Sequence, residues 1–238
     1  MIKAVFFDLG CTLVDIATFL IKYADEVDLR LLKSLGFDVT LEKVKRARRK
    51  TEEEIETKYK NNSEKHRVGL FFFHFCKNLG FKIDMKTAVE KDDKFWEEWI
   101  LHIKLLPNAV KILNYLRATG FKLAIICNGN KKRTHQILDR LGIKDYFDLV
   151  VASEMVGKEK CTSLPIKYAL EKLRLKPKEA VMVGDRKDED IIGAYRLGMK
   201  TIRVDYGFGA PMHGRTKEAD YVIDDLIKLK DVLKLLNK

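Results

Sequence analysis

The sequence predicts an α/β protein, a doubly wound parallel-sheet core into which an α-helical cap domain is inserted. Three observations carry this. A short, nearly continuous apolar run opens the chain at residues 2–7. From 16 to 104 the texture is helical, with few strand signals. Beyond Pro107, short apolar runs alternate with amphipathic segments of helical length. Apolar runs closed by turn residues are what buried parallel strands look like, and alternating strand and helix builds a parallel sheet covered on both faces. The first strand is cut off from the rest by the helical stretch, so the expected domains are a core of 1–15 with 105–238 and an insertion of 16–104.

In order, residues 2–7 form the first strand, with Phe6 and Phe7 before a turn at Asp8 to Gly10. Helices follow at 16–35, 40–61, 63–79 and 84–103. Gly36, Asn61-Asn62 and Gly80 break them, and Thr40, Ser63 and Asp84 are placed to accept the free N–H groups of the turns they precede. Later strands are expected at Lys122–Ile126, Leu149–Ala152, Ala180–Val183, Thr201–Val204 and Tyr221–Ile223. The helices between and after them are expected at 108–119, 131–141, 162–173, 188–197 and 225–237. The aromatic run from Leu70 to Phe75, with Trp96 and Trp99, reads as the core of the insertion; some of these rings lining a substrate entrance is the other reading.

The 238 residues are 46% hydrophobic and 34% charged with only four prolines, the balance of a folded protein. A net charge of +11 raises the question of a nucleic acid partner. Its distribution argues against one: residues 16–104 carry 19 Lys and Arg against 16 Asp and Glu, and the run Lys43 to Lys50 is followed at once by Glu52, Glu53, Glu54 and Glu56. That is the pattern of a solvated helix face with pairs four residues apart. A basic surface still attracts small anions, phosphorylated metabolites among them. No signal peptide is visible, no apolar run approaches the ~20 residues that span a bilayer, and Cys11, Cys76, Cys127 and Cys161 show no close pairing. A cytoplasmic protein without membrane or nucleic acid partners is expected; the oligomeric state is left open.

In an open α/β sheet, ligands bind beyond the carboxyl ends of the strands. The turns after four expected strands carry Asp8, Cys127-Asn128-Gly129, Lys160 and Asp185, the last followed by Asp190. A carboxylate nucleophile, a lysine and acidic groups able to hold a hard cation together suggest phosphoryl chemistry. His66, His74, His102, His135 and His213 show no ligand spacing.

With these motifs the chain resembles the haloacid dehalogenase-like (HAD) superfamily, in the phosphatase branch with a helical cap inserted after the first motif on a Rossmann-like core. Phe7 to Asp15 is similar to the family's first motif, Cys127-Asn128-Gly129 to the second, Gly157 to Lys160 to the third, and Gly184-Asp185 through Asp190 to the fourth. The resemblance implies a Mg2+-dependent phosphohydrolase of a small phosphorylated molecule. Asp8 would be the nucleophile that carries an aspartyl-phosphate and Lys160 the charge-balancing catalytic partner, with Lys158 as its alternative. Cys127, Asn128, Gly129 and Lys160 would hold the substrate. Asp8, the carbonyl of Gly10, Asp185 and Asp190 would hold magnesium, while Thr12 would steady the loop and the cap would select the substrate.

The chain departs from the pattern where family phosphatases place a second Asp two residues after the nucleophile. Here Gly10 stands, which transfers no proton, so general acid–base help worth roughly 10² to 10⁴ in rate is absent from that position. The expectation is a slow enzyme that favours leaving groups needing little protonation; Asp15 is the nearest other carboxylate. A catalytically silent relative that binds a phosphorylated ligand or partner, and a haloacid dehalogenase, stay open as other readings. Cys11, Cys127 and Cys161 fall beside motifs, either as small buried residues or as a thiol cluster for a soft metal or for oxidation.

Overall fold

A computed structural model of the protein describes residues 1–206 and 218–238; His213 lies outside the described residues. The chain divides into two compact units, one of Met1–Asp15 with Lys104–Lys238 and one of Ile16–Ile103.

β1 (Ala4–Phe7) is buried along its whole length, which is why its sequence does not alternate. It is followed by β2 (Val14–Asp15), a strand too short to leave a sequence signal.

The unit Ile16–Ile103 is helical throughout: α1 (Ala17–Lys22), α2 (Ala24–Ser34), α3 (Leu41–Lys58), a 3-10 turn Ser63–His66, α4 (Leu70–Asn78) and α5 (Met85–His102). Thr40 and Asp84 cap α3 and α5, their side chains accepting from Lys43 N and Thr87 N. Two expected helices are broken. The segment 16–35 divides at Tyr23, whose backbone leaves the helical region. The segment 63–79 divides at Gly69, where φ is +82° and where any side chain would strike Val89 of α5, so close helix packing overrides the local periodicity. Asn62 rather than Ser63 caps the 3-10 turn, accepting from Glu64 N. The core of this unit gathers Leu32, Val44, Phe72, Phe75, Cys76, Ala88 and Phe95.

Returning to the sheet unit, β3 (Lys104–Leu105) pairs antiparallel with β2. Then come α6 (Ala109–Ala118), β4 (Lys122–Cys127), α7 (Lys131–Arg140), β5 (Leu149–Ala152), α8 (Leu164–Leu173), β6 (Ala180–Gly184), α9 (Ile192–Tyr195), β7 (Lys200–Val204), β8 (Tyr221–Ile223) and α10 (Leu229–Leu236). The six long-range strands form one sheet in the order β5-β4-β1-β6-β7-β8, every pairing parallel. Alternate residues Ala4, Phe6, Ala124, Ile126 and Met182 pack on Ile166, Ala169 and Leu170 of α8. The intervening Val5, Phe7, Leu123, Ile125, Val181 and Val183 are equally buried, so both faces are covered. Because β1 lies between β4 and β6, the strands run outward in opposite directions, β4 then β5 on one side and β6, β7 then β8 on the other, which makes the carboxyl ends of β1 and β6 the switch point where open α/β sheets bind ligands. No described helix is long and apolar enough to cross a membrane.

The expected helix 188–197 is the main departure. Lys187–Ile191 instead form a π turn, with Asp190 N–H and Ile191 N–H both donating to Arg186 O, at 3.0 and 3.3 Å, before α9 begins. π segments inside helices recur at functional sites.

Candidate active site

Each expected residue leaves the sheet at the same edge. Asp8 directly follows β1, and its N–H continues the ladder to Val183 O at 2.8 Å. The chain then turns sharply, Leu13 N–H and Val14 N–H both donating to Leu9 O at 3.0 Å. Cys11 sits in this turn with φ +58°, a conformation that favours glycine. Gly10 makes a backbone bridge with Val14 and brings no side chain to the site. Thr12 is fully buried, its hydroxyl without a hydrogen-bond partner among the described residues, and its carbonyl accepts from Tyr206 OH at 3.5 Å.

The long connection after β5 delivers Lys160 at the start of a 3-10 turn. Its side chain is 2% exposed, and its ammonium is ion-paired with Asp8 Oδ1 and, at 2.6 Å, with Asp190 Oδ1. Lys158 is exposed, so of the two lysines it is Lys160 that joins the cluster. The Lys160 backbone is held on both sides. Asn128 Oδ1 accepts its N–H at 2.9 Å. Its carbonyl accepts Ser163 N–H at 2.8 Å and packs so closely on Gly193 that any side chain there would overlap it. Ser163, itself at φ +69°, donates its hydroxyl to Gly193 O at 2.7 Å.

Asp185 follows β6, and Asp190, wholly buried, returns to the same place through the π turn. Its Oδ2 accepts Arg186 N–H at 3.1 Å. This return requires Gly184, because a Cβ there would overlap the Asp190 carboxylate. One oxygen from each of Asp8, Asp185 and Asp190 lies within 4.8 Å of the others, the one group of three or more His, Cys, Asp or Glu side chains among the described residues arranged to share an ion.

Charge balance at this cluster is poor. Burial pushes the Asp185 carboxyl up to about 7, and the neighbouring charge of Asp8 adds to it. Burial likewise raises Asp190 well above the carboxylate range despite Lys160. Burial alone would lower Lys160, but the charges of Asp190, Asp8 and Glu189 outweigh it and keep the ammonium protonated. One lysine cannot neutralise three crowded carboxylates. A hard divalent cation suits this all-oxygen donor set, so the residues present fit a metal of the magnesium kind.

The second motif is placed differently from what its residue types suggest. The Cys127 thiol lies 3.2 Å from Thr134 Oγ1 and 3.8 Å from Val151 O, and burial pushes it up to about 11, so it is a neutral, internally satisfied group. Gly129 N–H donates to Ser153 Oγ at 3.0 Å. Asn128 bonds at both ends, through Oδ1 to Lys160 N–H and through Nδ2 to Glu189 Oε2 at 2.7 Å. None of the four cysteines joins a metal-like cluster among the described residues. Asp15 stands in β2, paired with Lys104, and is not part of the carboxylate group.

Sequence reasoning named Gly184 only as part of the fourth motif, without its role, and missed Gly193, Ser163 and Glu189. The glycines act through close approach, which sequence spacing does not report. Glu189 had a signal, an extra acid between Asp188 and Asp190.

The chain matches the family described as haloacid dehalogenase-like hydrolase over residues 5–204. It is 32% identical over 240 residues to a glyceraldehyde 3-phosphate phosphatase of Pyrococcus furiosus, covering 99% of this chain and 95% of that one. Among solved structures, a HAD phosphatase from Thermococcus onnurineus superposes with a TM-score of 0.72 at 26% identity, covering 98% of both chains. A 2-haloacid dehalogenase from Pseudomonas syringae superposes with 0.74 at 28% identity, covering 99% of both. The fold is therefore shared by both chemistries, while the glyceraldehyde 3-phosphate phosphatases and phosphoglycolate phosphatase it matches in sequence stand on the phosphatase side. The chain belongs to the haloacid dehalogenase-like hydrolase family and is an enzyme of its phosphatase branch.

Proposed function

We propose that the protein is a Mg2+-dependent phosphohydrolase of a small phosphorylated molecule, working through an aspartyl-phosphate on Asp8. The observation that carries the reading is the buried Lys160 ammonium shared by Asp8 and Asp190 beside Asp185, at the switch point of the strand order. A metal-free attack on carbon needs one carboxylate; three crowded ones favour the metal-assisted reaction. The relatives' activity makes glyceraldehyde 3-phosphate the first physiological substrate to test.

In this mechanism a carboxylate oxygen of Asp8 attacks phosphorus, the P–O bond to the leaving group breaks, and water then attacks the phosphorus of the acyl phosphate to release inorganic phosphate and restore Asp8. Lys160 orients Asp8 and offsets the negative charge that the phosphate brings. Asn128 keeps one amide hydrogen beyond its bond to Glu189 and, with nearby backbone N–H groups, would hold phosphoryl oxygens, while the Gly129 N–H and the Cys127 thiol are engaged with Ser153 and Thr134. Asp8, Asp185, Asp190 and the Gly10 carbonyl would hold Mg2+, which supplies charge neutralisation at the phosphoryl group when bound. Gly10 offers no proton to the departing oxygen, so that proton comes from solvent. The unit Ile16–Ile103 is the cap domain in this reading, and a cytoplasmic enzyme of a small phosphorylated molecule is part of it.

The test is hydrolysis of an aryl phosphate with and without Mg2+ by the wild type and by Asp8→Asn. Turnover that needs the metal and falls about 10³-fold or more in the variant is expected. Gly10 is the one observation favouring the silent-binder reading. Wild-type turnover no higher than that of Asp8→Asn would select that reading, and Gly10→Asp would then show whether the missing acid accounts for the silence.

A further inference from the structure

We propose that Glu189 is a positioning residue for Lys160, acting through the side-chain amide of Asn128. Its kinetic consequence rests on the phosphohydrolase reading; its structural consequence rests on geometry alone. Asn128 bridges two chain segments, its Oδ1 accepting Lys160 N–H at 2.9 Å and its Nδ2 donating to Glu189 Oε2 at 2.7 Å. Glu189 is itself held: its Oε1 lies 3.3 Å from Arg186 NH2, and the same guanidinium makes bonds of 3.1 and 2.8 Å to Asp188. A continuous chain of contacts therefore runs from Arg186 through Glu189 and Asn128 to Lys160, whose ammonium ends on Asp8 and Asp190.

The two ends of an amide are chemically opposite, and a carboxylate only accepts. Glu189 can therefore bind only the NH2 end of Asn128, which commits the oxygen to the Lys160 N–H. Rotated by half a turn, the amide would set its oxygen against a carboxylate oxygen and its NH2 against an N–H. Without Glu189 only the Lys160 N–H itself selects the orientation among the described residues, and that N–H, at the unsupported start of a 3-10 turn, holds its acceptor less firmly. The carbonyl side of Lys160 is already fixed by Ser163 and Gly193. Glu189 completes that grip from the amide side. Displacement of a catalytic group by about 1 Å can cost about 10²-fold in rate.

The experiment compares Glu189→Ala, Glu189→Gln, Asn128→Ala and the double variant Glu189→Ala/Asn128→Ala. It reads hydrogen exchange of the Lys160 amide in metal-free protein, and kcat and KM on an aryl phosphate with Mg2+. In Glu189→Ala, Lys160 exchange is expected to rise about tenfold or more, and kcat to fall roughly 10- to 100-fold with KM within about threefold. Glu189→Gln, whose amide oxygen can accept the same bond, should restore both to within about threefold, and the double variant should be no slower than Asn128→Ala. An unchanged Lys160 amide in Glu189→Ala overturns the proposal. Equal losses in the Ala and Gln variants, or faster exchange spread evenly over the sheet, would also overturn it. If Glu189→Ala does not fold, Glu189→Gln against Asn128→Ala decides by the same readouts. If the wild type hydrolyses nothing, the phosphohydrolase reading fails and the Lys160 exchange comparison still judges Glu189.

Discussion

In the helical unit, Arg48 of α3 is buried among charges and rings: its Nε lies 2.8 Å from Asp25, its NH2 is ion-paired with Asp28, and Phe71, Phe75 and Trp99 lie 5.8, 5.9 and 5.1 Å from its guanidinium carbon. Trp99 Nε1 donates to the second oxygen of Asp28 at 3.0 Å. In the sheet unit, Lys160 is buried more deeply still, but against three carboxylates, two of which are pushed upward. Both clusters pay for desolvation, and burial lowers even the Arg48 guanidinium, but the first sets one planar cation against two acids and against aromatic faces. The second keeps a deficit of positive charge. A buried network satisfied by its own members belongs to folding, whereas one that leaves carboxylates strained upward is arranged for something the chain itself does not contain. The contrast also corrects the sequence expectation, since Arg48 lies within the run read as a solvated face; it shares the buried side of α3 with Val44, Thr51 and Ile55.

The largest effect expected from this contrast is on stability in the helical unit. Arg48→Ala strands Asp28 and should cost about 3–5 kcal/mol in urea unfolding; a loss below about 1 kcal/mol would show that the network is dispensable. In the sheet unit the sign reverses. Asp185→Asn removes a repelling charge from a carboxyl raised from 3.8 to about 7, so at pH 8 the metal-free variant should be more stable than the wild type by on the order of 3 kcal/mol. Added Mg2+ should then protect it less than it protects the wild type, a comparison read by thermal unfolding.

A smaller effect concerns the acid missing at Gly10: aryl phosphates should be hydrolysed about tenfold or more faster than matched alkyl phosphates, and Gly10→Asp should narrow the gap. Equal rates in the wild type would mean that another group delivers the proton. The smallest is a pH dependence of the metal-free protein. Between about pH 4 and 7 the folded state holds protons on Asp185 and Asp190 that the unfolded chain has released, so stability rises as pH falls through this window. The melting temperature should climb by a few degrees from pH 8 to pH 5, and saturating Mg2+ should flatten the slope; a metal-free melting point that falls over the same range would contradict the charge deficit.

Much of this molecule is legible from residue types in order. Apolar runs closed by Asp8, Cys127-Asn128 and Gly184-Asp185 mark strands that must be buried side by side, and a parallel sheet aligns their carboxyl ends whatever the details of packing. The helical texture of 16–103 follows in the same way from periodicity. What local pattern misreads is where a distant atom wins. Periodicity runs a helix through Lys187–Ile191, but Asp190 is drawn back over Gly184 to meet Lys160. It continues a helix past Gly69, where Val89 leaves no room for a side chain. It says nothing of Asn128 lying between Glu189 and Lys160, residues 61 and 32 positions away.

By itself the sequence determined the fold class, the order of the elements and which residues reach the carboxyl edge of the sheet, because backbone periodicity and the burial of apolar runs are local in origin. Only the tertiary structure decided that Lys160 rather than Lys158 joins Asp8, that Cys127 faces inward to Thr134, that Arg48 is structural and that the metal-like cluster is short of positive charge. Those outcomes depend on distance and desolvation between groups far apart in the chain, which exist only once the backbone has closed around them.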